Sequence, residues 1–206
     1  MTGGSTMPPK AKFTKEEIVE AALNIVREDG ISNLTARALG TKLGSSARPI
    51  FTVFQNMDEV QQAVIDSAKQ LYADYIQKGL AETPAFKGVG MQYILFSINE
   101  PTLFQLLFMK EQAEIPDLPG VLMLIDDNFD QILNSIKDTY QLDDESSKKM
   151  YQHLWIYTHG IAALCATRMC RFTGEEISGM ITEVFTSLLK EMKSAEMQGK
   201  AGKSHD

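Results

Sequence analysis

An all-α fold of about nine helices is predicted, with a three-helix N-terminal head followed by a C-terminal helical body. Three observations predict it. Apolar residues recur at helical spacing along most of the chain, while alternating β-branched runs are few and none flanks an Asn-Gly or Asp-Gly pair. Capping residues mark helix starts, and stops fall at Asp29-Gly30, Gly44, Thr83-Pro84, Glu100-Pro101, Pro116 to Pro119 and Thr173-Gly174. The 206 residues, 44% hydrophobic and 23% charged, are enough to bury a core without disulfides or metals.

The first helix is announced by Thr14-Lys15-Glu16-Glu17, a capping box, with Phe13 and Ile18 placed as a hydrophobic staple. Ile18, Ala22, Ile25 and Val26 form its apolar stripe, and Asp29-Gly30 ends it. Thr35 caps a short second helix, and Gly44 makes a tight turn. A third helix is expected from Ser45 or Ser46 through Phe54, with Pro49 in its first turn, where a missing N–H costs little. Asn56, with Glu59 at the capping-box position, starts a long fourth helix to about Leu80. Further helices are expected near 84–99, 102–113, 119–140, 144–171 and 174–195, the last opened by the capping box Thr173-Gly174-Glu175-Glu176. Residues 1–9 read as a disordered tail or cloning scar without the apolar core of a signal peptide, and residues 196–206 as a second disordered tail.

Charge divides the chain. Residues 10–56 carry seven Lys+Arg against five Asp+Glu, and the remainder carries 13 against 22, within a net −7. A basic head on an acidic body is a polarised molecule whose head can approach DNA while its body repels it. Cys165 and Cys170 lack metal-ligand or CxxC spacing, so a reduced cytoplasmic protein is expected. His153 and His159 are six residues apart on one helix with no carboxylate or histidine at i±4, which disfavours a metal site. The uncharged stretch Met150–Thr167 is interrupted by Gln152, His153, Thr158 and His159, and reads as a buried helix rather than a membrane span.

Residues 35–54, TARALGTKLGSSARPIFTVF, carry the functional signal. A short helix, a Gly-containing turn and a helix opening with Ser-Ser-Ala-Arg form a helix-turn-helix pattern. Such a pair lets its second helix enter a major groove about 12 Å wide. Ser46, Arg48 and Thr52 are hydrogen-bonding side chains at its exposed end, and Ile50, Val53 and Phe54 would anchor it. Any helical hairpin in a bundle shares this spacing, so the pattern alone leaves function open.

Residues Phe13 to Val60 resemble the TetR family of transcriptional regulators. The resemblance is carried by Thr35-Ala36-Arg37-Ala38-Leu39-Gly40 against T-x-R-x-[IL]-A, by Ile50-Phe51-Thr52-Val53-Phe54 against L-Y-x-x-F, and by Gln55-Asn56-Met57-Asp58-Glu59-Val60 against K-[SN]-K-[ED]-[ED]-L. Phe51, Gln55 and Met57 depart from it by removing a phosphate-reaching hydroxyl and two basic groups. Lys10, Lys12 and Lys15 can compensate from the N-terminal arm or lie on a solvated face. The resemblance implies a homodimeric DNA-binding regulator without a cofactor or catalytic site, working on a pseudo-palindromic operator. It implies contacts from Thr35, Ala36, Arg37, Ser45, Ser46, Arg48, Phe51, Thr52 and Gln55.

His153 to Gly160 includes Trp155-x-x-x-His159-Gly160, similar to a Trp-x-x-x-His-Gly signature of some TetR-family bodies. His159 is expected to bond a neighbouring helix or to touch a ligand. An apolar or aromatic effector that releases the operator is expected among Phe86, Met91, Tyr93, Phe96, Phe104, Phe108, Met109, Met123, Trp155 and His159, each of which also suits plain core packing. Small residues Ala163, Ala166, Thr167 and Cys170, with Ile177, Ile181, Val184, Phe185 and Leu188, are candidates for the dimer interface, or else for intrachain core. The competing function is a helical protein-binding adaptor or a ligand-binding protein that does not touch DNA. Against an enzyme, Gly88-Val89-Gly90 lacks a strand–helix context, and no Ser/His/Asp or Cys/His set emerges.

Overall fold

A computed structural model describes residues 11–111, 115–125 and 128–202, so the expected tail at 1–9 and the end of the one expected at 196–206 lie outside the described residues, while 196–202 are helical and not the expected tail. Nine α-helices and no strands are found among the described residues: α1 (Lys15–Asp29), α2 (Ala36–Lys42), α3 (Met57–Leu80), α4 (Ala85–Asn99), α5 (Pro101–Phe108), α6 (Leu118–Ile125), α7 (Phe129–Tyr140), α8 (Asp144–Ala166) and α9 (Gly174–Gly202). The chain forms two compact units, residues 1–68 and 69–206, divided within α3.

The first unit follows its capping signals. Thr14 Oγ1 accepts from Glu17 N–H at 3.1 Å, and the Glu17 carboxylate accepts from Thr14 N–H at 2.8 Å. Two otherwise unsatisfied donors at the start of α1 are thereby paired. Ile18, Ala22, Ile25 and Val26 are buried, as their spacing predicts. Thr35 Oγ1 accepts from Ala38 N–H at 3.1 Å and opens α2.

The expected third helix is not an α-helix. Residues 50–52 form only a single 3₁₀ turn, and Ser45 to Pro49 lie in turns and bends. The bonds from Ile50 N–H to Ala47, Thr52 N–H to Pro49 and Val53 N–H to Ile50 are all of the tight i→i−3 type. Pro49 has no N–H and biases Arg48 away from helical backbone, while the Thr52 hydroxyl donates to the Pro49 carbonyl at 2.6 Å. Ser45 does not act as a cap: its N–H closes onto Gly40 O at 2.9 Å instead.

In the second unit α4 packs principally along α8, with α5, α7 and α9 also against these two helices. Gly79 and Gly88 permit the α3–α4 approach, since a Cβ on Gly79 would stand 2.6 Å from Val89 N and 2.7 Å from Gly88 C. Tyr72, Tyr93, Phe96, Phe104 and Phe108 pack with ring centroids 4.9–6.4 Å apart, mostly tilted or edge-on, the arrangement that the aromatic quadrupole favours.

Other boundaries differ from expectation. The helix expected over 119–140 is two: α6 ends at Ile125 and α7 begins at Phe129. Asn128, just before α7, is a short polar residue of the kind that competes with helical backbone bonding, and its φ of −98° and ψ of 12° lie outside the helix. The count of nine therefore survives by exchange, with one expected helix absent and another divided. α5 stops at Phe108. α8 stops at Ala166 rather than near 171: Arg168 takes a left-handed φ of 58°, and Met169 and Cys170 N–H both turn back to Leu164 O. A reversal of this kind satisfies terminal carbonyls and directs the chain to the next cap. That cap is Thr173, whose Oγ1 accepts from Glu176 N–H while the Glu176 carboxylate accepts from Thr173 N–H. α9 then runs past 195 to Gly202.

Candidate functional site

Two surfaces carry the functional candidates, one in each unit. In the first, Gly44 adopts φ +62°, the left-handed turn for which glycine is suited. A Cβ on Gly40 would stand 3.0 Å from Ala47 N, so the 45–47 turn lies directly on α2. Ile50 and Phe54 are buried anchors. Around them Thr35, Arg37, Ser46, Arg48, Phe51, Thr52 and Gln55 are exposed, whereas Ala36 and Ser45 are half-buried. Phe51 leaves 44% of its surface in solvent, an unusual position for a ring with no polar handle.

The electrostatics of this surface are mixed. Lys12 Nζ donates to Ser45 Oγ at 3.0 Å, which brings the N-terminal arm onto the turn. Lys15 lies 5.7 Å above the Phe54 ring. Lys42 is ion-paired with Glu28 at 2.9 Å, so its charge is partly neutralised. The side chains of Arg37 and Arg48 make no hydrogen bond or ion pair among the described residues. The arrangement presents two unengaged guanidiniums and several hydroxyl and amide groups to a partner in solvent, the equipment for phosphate and base-edge contacts.

The second surface is internal. A cavity of about 360 Å³ is lined by side chains of α3, α4, α7, α8 and α9. Of the residues proposed from sequence, Phe86, Tyr93 and Trp155 line it. Phe96, Phe104 and Phe108 do not: Phe96 and Phe104 are fully buried, and the three rings pack on one another between α4 and α5. Met91 and Met109 also lie outside the lining, and Met109 is 43% exposed. The side chain of Met123 falls outside the described residues. Lining residues missed by sequence reasoning are Tyr140 and Tyr151, with Ile181, Thr182, Phe185 and Thr186 of α9. One signal was present: Tyr151, Leu154, Trp155 and Thr158 fall at i, i+3, i+4, i+7, a mixed aromatic and polar stripe.

Two of the supposed interface residues are thus cavity wall. Ile181 and Phe185 line the cavity from within the chain, and Ile177 and Ala166 are buried in a single copy. Cys170 lies beyond the end of α8, off the face shared by Ala163 and Thr167. Val184 and Leu188 are half-buried.

His159 does not line the cavity but supports its wall. Its Nδ1 lies 2.8 Å from the Tyr93 hydroxyl, joining α8 to α4, and its ring stacks on Trp155 at 5.0 Å and 21°. Burial holds the imidazole pKa below its usual value, so the neutral ring is favoured at pH 7. Burial also raises the Tyr140 phenol. The hydroxyl protons of Thr158, Thr182 and Thr186 are engaged by backbone carbonyls of their own helices. Trp155 Nε1, by contrast, is buried and meets no hydrogen-bond partner among the described residues. Among the described residues no group of three His, Cys, Asp or Glu could hold a metal ion, and no helix is long and apolar enough to cross a membrane.

No family model matches this chain, and no curated protein matches it in sequence. A solved structure does: the fatty acid degradation regulator FadR from Bacillus halodurans superposes with a TM-score of 0.53 over 89% of this chain and 96% of that one, at 15% sequence identity. The chain therefore has an all-helical fold like that of this regulator.

Proposed function

We propose that the protein is a DNA-binding transcriptional regulator, acting as a homodimer and released from a pseudo-palindromic operator by a small apolar or aromatic effector. The observation that carries this reading is the exposed set Arg37, Ser46, Arg48, Thr52 and Gln55, held over buried Ile50 and Phe54 with Lys12 drawn to the same turn. Its fold likeness to a regulator supports the same conclusion. The cavity supports an effector, which acts only through a difference in affinity between two states of the protein. Exposed Ile156 and Leu164 on α8, with half-buried Val184 and Leu188 on α9, support a helix-to-helix dimer face. Half-sites would then lie roughly 34–36 Å apart along the duplex.

A second reading, a ligand-binding helical protein that does not touch DNA, draws on one observation: residues 46–54 lack the regular α-helix that normally enters a groove. A gel shift against DNA upstream of the gene separates the two. Arg37→Ala and Arg48→Ala should each weaken the shifted complex, and loss of a guanine contact at Arg48 should relax specificity by about 1–3 kcal/mol at one base pair. Unchanged binding in both variants refutes the assigned contact surface.

A further inference from the structure

We propose that the cavity of the second unit takes a compact aromatic compound whose carboxylate or carbonyl oxygen accepts from the Trp155 indole N–H, in preference to a cation of the same shape. The inference rests on the reading of the cavity as the effector site. Its volume of about 360 Å³ lies at the small end of ligand sites, enough for one or two rings with a short substituent. The walls supply flat partners: Phe86, Tyr93, Tyr140, Tyr151 and Phe185 stand around it with Trp155. Gly90 keeps the floor open, since a Cβ there would reach Thr158 and Ile181 only at ordinary contact distances of 3.5 and 3.6 Å.

The polar inventory sets the sign of the ligand. Trp155 Nε1–H can only donate, and it is buried with no acceptor among the described residues. The threonine hydroxyl protons are taken by their own helices, so they do not compete for a ligand oxygen. Lys87 lines the cavity with no ion pair among the described residues, and no Asp or Glu is in the lining. The nearby carboxylate of Glu82 is hydrogen-bonded by Gln92 at 3.0 Å and is not part of the lining. A ligand oxygen therefore finds an unmatched donor and a positive charge, with the phenols of Tyr72, Tyr140 and Tyr151 in the same lining, whereas a ligand cation finds ring faces but no counter-charge and the Lys87 ammonium against it.

The test uses four probes on the intact chain without DNA: cinnamate, methyl cinnamate, β-methylstyrene and cinnamyltrimethylammonium, titrated by calorimetry and by ¹⁵N–¹H correlation spectra. The chain has one tryptophan, so the indole N–H gives a single cross-peak. Cinnamate and its ester should bind and move that peak downfield. The hydrocarbon should bind about tenfold more weakly without moving it, and the ammonium compound should bind more weakly than cinnamate, also without moving it. Trp155→Phe should weaken both oxygen-bearing probes by about tenfold, the worth of one hydrogen bond to a buried donor. Lys87→Gln, a half-exposed change that leaves the core intact, should weaken the acid and spare the ester, which separates charge from carbonyl recognition. Wild-type affinity in Trp155→Phe, an unmoved indole peak on binding, equal binding of the cation, or no binding of either oxygen-bearing probe overturns the proposal. A parallel gel shift keeps the two readings apart: probe binding without any DNA complex defeats the regulator, and a DNA complex without probe binding defeats the ligand class.

Discussion

Replacing Gly79 with alanine tests the α3–α4 contact most directly. The new methyl would stand 2.6 Å from Val89 N and 2.7 Å from both Gly88 C and Val89 Cα, against ordinary contacts that begin at 3.4 Å. The α4 backbone would have to withdraw by the difference, about 0.8 Å. All three obstacles are backbone atoms, so no side chain can swing aside. Overpacking of a core costs about 1–3 kcal/mol, and the helix-propensity gain of alanine over glycine is about 1 kcal/mol in a helix interior but less at the penultimate residue of α3. The net expectation is a loss of about 1–2 kcal/mol, or roughly 2–8 °C in Tm for a chain of this size. Gly179 provides the control: it lies inside α9, and a methyl group there would meet no atom within 4 Å, so Gly179→Ala should gain about 0.5–1 kcal/mol. Thermal unfolding followed by circular dichroism at the helix band measures both. Equal Tm gains in the two variants would mean that propensity alone governs and that the close approach is not a constraint.

Acidification from pH 7 to 5 should destabilise the second unit, because the half-buried His159 resists protonation while the unfolded chain does not; stability is present above the unfolded value near 6.5 and is lost as pH falls below it. His159→Gln should flatten that part of a pH–Tm profile, and an unaltered slope would remove His159 as its source. A separate loss is expected below about pH 4, where Asp143 and Glu176, whose backbone-bonded carboxyls are held below their usual range, take up protons. Thr14→Ala should lower stability by about 1 kcal/mol through loss of the α1 capping box, while Thr14→Ser keeps it; equal urea midpoints for both variants would contradict the capping assignment.

Local chemistry was the legible part of the chain. Thr14, Thr35 and Thr173 cap helices as their spacing indicates, because each cap is decided within four residues. The His159 bond to a neighbouring helix was equally accessible, since a histidine beside Trp155 on a half-buried face needs a partner. Periodicity says which face is inward but not what it meets. Ile181 and Phe185 therefore read as interface or intrachain core, and they line the cavity, while Phe96 and Phe104 read as pocket or core packing, and they pack on one another. Residues 46–54 misled for a different reason: Pro49 is acceptable in a first helical turn, but here the preceding turn is closed onto Gly40, so no α-helical turn precedes the proline. The tight glycine pair could not be anticipated, because nothing local to Gly79 reveals the backbone of α4 nine residues on.

The winding of residues 47–53 decides which side chains are neighbours. In a threefold spiral, positions three apart eclipse one another, whereas in the wider 3.6-fold form positions four apart come closest to alignment. The segment holds both spans: threefold bonds up to Val53, and the wider one where Phe54 N–H reaches Ile50 O at 3.0 Å. A partner that needed Arg48 and Thr52 on one side would draw on the wider span, since only there do positions four apart come into line.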